Sequence, residues 1–123
     1  MHKIRIVITF IVLAASNFLY AAGPYDGIWQ TSDSTYSTVN QNGSTVIVVG
    51  LDLVDGDFAI STGELVGSEL VLSTAVGNGA QIVSRVNFIS ATSATVTLLS
   101  CVPDPGYICT LPNGIALTIT KVF

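Results

Sequence analysis

The sequence predicts an all-β protein: eight antiparallel strands, joined in chain order and closed into a single up-and-down barrel. Three observations carry that expectation. Past the N-terminal segment no run keeps the 3.6-residue apolar period of a helix, whereas Val, Ile and Thr, which favour the pleated strand, are abundant. Turn pairs recur at Asn42-Gly43, Asp55-Gly56, Gly67-Ser68 and Asn78-Gly79, followed by a short link at 91–93, with first residues 13, 12, 11 and 13 positions apart. Asn-Gly and Asp-Gly supply the positive φ angles of a type I′ turn, and Gly-Ser suits type II′. Eight strands joined by short hairpins can close, and closure removes the exposed edges an open meander would keep. A two-sheet β-sandwich is the alternative.

The turns place strands at 26–31, 35–41, 44–54, 57–66, 69–77, 80–90, 94–102 and 115–122. In the fifth, Leu70, Leu72 and Val76 share one face, with Glu69 and Ser73 on the other. The eighth sets Ile115, Leu117 and Ile119 against Thr118 and Thr120. The fourth alternates less cleanly, because Phe58 and Ile60 fall out of phase with Leu65. A bulge at Thr62-Gly63 is expected to restore the phase. No repeat beyond the hairpin spacing is visible, so residues 23–123 read as one domain.

Ahead of that domain, a basic start at His2, Lys3 and Arg5 leads into a nearly unbroken apolar run from Ile6 to Leu13. Small residues follow at Ala14, Ala15, Ser16, Ala21 and Ala22. That order is the layout of a secretory signal peptide, expected over 1–22 with cleavage after Ala22. Cleavage after Ser16 is the second choice, and an uncleaved anchor the alternative to both. The location implied is periplasmic or secreted.

Charge and residue usage then exclude whole classes of function. Residues 23–123 carry two cations, Arg85 and Lys121, against eight carboxylates, a net −6 from side chains. Phosphate backbones and anionic membrane surfaces both call for clustered Lys and Arg, so no nucleic acid and no membrane is expected as a partner. The only histidine is His2, which leaves with the signal segment. No His-based acid–base pair, Ser-His or Cys-His nucleophile or His-ligated zinc then remains. No enzyme activity, cofactor or metal is expected. The two cysteines, Cys101 and Cys109, read as a disulfide in an oxidising compartment. Closing a nine-residue ring contributes roughly 2.5 kcal/mol in the chain-entropy model.

Gly27-Ile28-Trp29 opens the first strand. It resembles the Gly-x-Trp of calycins, the group of lipocalins, avidins and some bacterial protease inhibitors. The resemblance implies that Trp29 closes the base of a barrel and that a basic residue of the last strand packs across it. Lys121 stands where that group more often has Arg. Strands one and eight of a closed meander are antiparallel neighbours, which puts Lys121 near Trp29. A cation–π contact there contributes roughly 0.5–2 kcal/mol. The longer run of Asp26-Gly27-Ile28-Trp29, residues 36–43, Cys101 to Cys109 and Leu111-Pro112-Asn113-Gly114 also resembles a group of uncharacterised exported bacterial proteins, which brings no activity with it.

Candidate contact residues come from the loops. Two prolines and a glycine inside the Cys101–Cys109 ring make a rigid segment with Tyr107 at its tip. It reads either as a presented binding loop or as a stapled connection. The links after strands one, three, five and seven share one end, which would form an acidic mouth from Asp33, Asp55, Asp57 and Asp104. Their spacing does not match an EF-hand, and turn chemistry accounts for them without calcium. Glu64 and Glu69 flank the Gly67-Ser68 turn, where no cleft for glycoside chemistry is evident. Terminal Phe123 after alternating Ile115, Leu117 and Ile119 resembles the last strand of outer-membrane barrels, though Lys121 breaks the pattern. The function expected is non-covalent binding, either of a small apolar molecule inside the barrel or of a protein at the loops, with a small outer-membrane barrel as the third reading.

Overall fold

A computed structural model describes residues 22–32, 34–51, 56, 58–76 and 79–123. All but the last residue of the expected signal segment lies outside them. Eight strands form in chain order: β1 (Gly27–Thr31), β2 (Tyr36–Asn42), β3 (Thr45–Leu51), β4 (Phe58–Val66), β5 (Glu69–Val76), β6 (Ala80–Phe88), β7 (Ser93–Val102) and β8 (Ala116–Lys121). Each pairs antiparallel with the next, and β1 also pairs with β8. The sheet therefore closes into one barrel, not a sandwich.

Two of the hairpins are built alike. Asn42 pairs with Thr45 and Val66 with Glu69, which leaves Gly43-Ser44 and Gly67-Ser68 as two-residue loops. Both glycines have a φ of 64°, the positive value that the first position of a type II′ turn requires. Asn42 is thus the last residue of β2 and not the start of a type I′ turn. The Gly-Ser pair one position later already meets the demand.

The bulge expected at Thr62-Gly63 is not formed. β4 keeps continuous register with both β3 and β5. Phe58 and Ile60 point outward instead, 70% and 52% exposed. The inward positions of β4 are Ala59, Ser61, Gly63 and Leu65. A Cβ on Gly63 would run into the carbonyl oxygen of Val71 and come within 3.0 Å of Leu70 Cδ1, so the close approach of β5 needs glycine there. The sheet's register shift lies between β6 and β7. Val83 pairs with Ser100 and Ser84 with Leu98, leaving Leu99 as the extra residue.

Large side chains fill one end of the barrel, the end where β1 starts and β8 finishes. Trp29, Val46 and Leu70 are fully buried there, with Val39, Val86 and Ile119 around them. Tyr25, just ahead of β1, stacks on Phe88 with ring centroids 3.8 Å apart, and Trp29 meets the same Phe88 ring edge-on at 5.5 Å. The Trp29 indole Nε1 donates to the Tyr25 carbonyl at 2.9 Å. Asp26 fixes this segment across the base, accepting from the backbone N–H of Gly23 at 2.8 Å and of Gln41 at 2.6 Å.

The outer surface is uneven. Ile47, Leu51, Phe58 and Ile60 make an apolar area on β3 and β4. Many outward positions elsewhere are polar and exposed, among them Thr38, Asn40, Gln81, Asn87, Thr118 and Thr120, although Ile28 and Val71 are exposed and apolar. Ser44 and Thr45 donate their hydroxyls to Glu64 at 2.6 and 2.8 Å, which holds its carboxyl below the ordinary value of 4.5. Those bonds tie the β2–β3 hairpin to β4.

Candidate functional site

Above the aromatic floor, the inward positions change in size. Ser37 on β2, Gly50 on β3, Ala59 and Ser61 on β4 and Ser84 on β6 replace the large residues of the base. Alternation still points them inward, but they cannot reach across the lumen. They leave a cavity of about 740 Å³ that is floored by Trp29, Leu70 and Phe88 and extends to Thr35, Phe58, Val76 and Tyr107 at the opposite end. That volume falls within the range of sites for small organic ligands.

The walls are predominantly apolar, with hydroxyls at intervals: Thr31, Ser37, Ser61, Thr74, Ser84 and Tyr107. The hydroxyls of Ser61 and Thr74 hydrogen-bond to each other across β4 and β5. Thr31 Oγ1 donates to the Thr35 carbonyl at 3.1 Å. Among the described residues no Asp, Glu, Lys, Arg or His lines the cavity. A second space of about 170 Å³ lies against the disulfide and shares Ile82, Ser84, Val96, Tyr107 and Leu117 with the first.

Cys101 and Cys109 are joined, with Cα atoms 6.1 Å apart. Within the ring, Asp104 and Tyr107 exchange backbone hydrogen bonds of 3.2 Å each way. The Asp104 carboxylate accepts from Gly106 N–H at 2.7 Å and from Ala80 N–H at 3.0 Å. It therefore pins the loop to the first residue of β6. Tyr107 is half-buried, and its residue lines both spaces at the mouth. Of the residues expected at an acidic mouth, Asp33, Asp55 and Asp57 lie outside the described residues.

Trp29 and Lys121 are direct cross-strand partners of β1 and β8, as the meander predicts. The lysine's Cε lies 2.6 Å from the point where a Cβ on Gly27 would sit, and the Phe123 carbonyl oxygen closes the same space. Gly27 also holds a φ of 141°, so both crowding and backbone conformation require glycine at the head of Gly-x-Trp. Glu64 and Glu69 stand on the outer face, where Glu69 meets Arg85 at 3.4 Å. Among the described residues no three His, Cys, Asp or Glu side chains gather in one place.

The cavity hydroxyls were not singled out by motif reading. Their signal is a different one: small residues at the inward positions away from the base, Ser37 on β2, Gly50 on β3, Ala59 and Ser61 on β4 and Ser84 on β6, where a filled barrel would carry large ones. No family model, curated protein or solved structure matches the chain. Its likeness to calycins is therefore one of architecture, a closed eight-stranded antiparallel barrel.

Proposed function

We propose that the protein is an exported, non-enzymatic binding protein that holds a small apolar molecule inside its barrel. The observation that carries this reading is the cavity of about 740 Å³, floored by aromatic rings and walled by aliphatic side chains. Burial of apolar ligand surface there is favourable by roughly 25 cal/mol per Å² before the costs of association. The polar outward positions of β2, β6 and β8 weigh against a lipid-facing barrel, which needs an apolar band around its whole circumference. Tyr107 at the cavity and the backbone-bound carboxylate of Asp104 weigh against both as free contacts for a protein partner.

Trp29 supplies the test. It is the single tryptophan of the chain and it forms part of the cavity floor. Titration with the neutral fluorophore N-phenyl-naphthylamine should give saturable enhancement, with energy transfer from Trp29 to the probe. Non-saturable or absent enhancement would count against an interior site.

Export rests on the basic, apolar and small-residue order of 1–22 and on the disulfide, which is compatible with an oxidising compartment. Intact-mass measurement of protein recovered from outside the cytoplasm should show loss of the segment ending at Ala22 and of two hydrogens. A retained Met1 with free thiols would refute both.

A further inference from the structure

We infer that the cavity selects electrically neutral molecules with an apolar body and a hydroxyl or carbonyl group, and rejects the matching carboxylates. The inference deepens the interior-binding reading and rests on it.

Residues 22–123 contain two cationic side chains, and neither lines the cavity. Arg85 lies on the outer face of β6, 3.4 Å from Glu69. Lys121 extends over Gly27 at the base, beside the fully buried Trp29. A carboxylate drawn into the chamber would give up part of its hydration and meet no cationic side chain, so it is favoured to stay in water.

Neutral polar groups fare differently. In the Ser61–Thr74 pair one hydroxyl donates to the other. The accepting hydroxyl keeps its own proton, and the donor keeps its lone pairs, so the pair can bond a ligand hydroxyl or carbonyl. Ser37 and Ser84 add hydroxyls on neighbouring walls. Thr74 is buried, so a ligand oxygen placed there exchanges its bonds to water for bonds to protein. An alkane of the same length gains only the burial.

A set sharing an unbranched ten-carbon chain decides the matter: decane, decanol, methyl decanoate and decanoate, each competing with N-phenyl-naphthylamine at neutral pH below micelle-forming concentrations. Decanol and the ester should displace the probe at least about tenfold more tightly than decanoate. Decane should fall below decanol, and the double variant Ser61→Ala, Thr74→Val should bring decanol down towards decane. Decanoate binding as well as decanol would overturn charge selection while leaving interior binding intact. Decane matching decanol in the native protein would overturn the role of the hydroxyls. If the probe binds but no member of the set displaces it, the ligand class is wrong. If the probe itself fails to bind, the interior reading falls and this inference with it.

Discussion

Trp29→Ala should destabilise the barrel by about 3–5 kcal/mol, the cost of emptying a large aromatic site in a packed interior. The indole is 1% exposed, donates to the Tyr25 carbonyl at 2.9 Å and meets Phe88 edge-on at 5.5 Å. Its loss would strip one wall from the Tyr25–Phe88 stack and leave a backbone carbonyl without its donor. Nothing nearby can collapse into the space, because the small residues above the floor already leave the chamber open. Trp29→Phe should cost less, since the ring contact with Phe88 can persist and only the hydrogen bond and part of the volume go. Because Trp29 is the sole tryptophan, far-ultraviolet circular dichroism in urea is the proper readout. A loss below about 1 kcal/mol for the alanine variant would mean the ring is not the floor it appears in the packing.

The architecture was legible because two independent periods agreed. Turn pairs 11 to 13 residues apart fixed strand number, and period-two alternation in β5 and β8 fixed which face turns inward. Strand order then placed Trp29 against Lys121 without any long-range information. The misreading of β4 has a single physical cause. In a filled core large apolar residues face inward, and on that pattern Phe58, Ile60 and Leu65 need a bulge to share a face. The strand is regular, and its inward set is small because it borders a void: Ala59, Ser61 and Gly63. A hollow leaves no apolar signature of its own, only an absence of bulk at inward positions. That absence becomes meaningful only once register shows that Gly50 neighbours both Ser37 and Ala59. The mouth was less legible for another reason. An aspartate in a turn can serve a ligand or its own backbone, and at Asp104 the carboxylate bonds to Gly106 and Ala80.

Gly50→Phe should abolish interior binding, with a loss on the order of a hundredfold or more in probe affinity, about 2.7 kcal/mol, while the barrel stays folded. Gly50 lines the cavity from the inner face of β3. A Cβ built on it meets only Ser37 Oγ, at 3.6 Å, an ordinary van der Waals contact, and its backbone does not need a left-handed conformation. The added ring would therefore project into the empty lumen and occupy space a ligand would use. Filling a void and removing a strand glycine both favour the folded state, so melting temperature should hold or rise. Gly63→Ala is the contrasting variant. Its Cβ would strike the Val71 carbonyl oxygen where β5 passes, so a smaller substitution should cost more stability than the larger one at Gly50. Comparing the two by thermal melting, and Gly50→Phe with the native chain by probe titration, separates an occupied lumen from a damaged sheet. Native-like probe affinity in a folded Gly50→Phe protein would place the binding site outside the barrel, at the loops or on the outer face of β3 and β4.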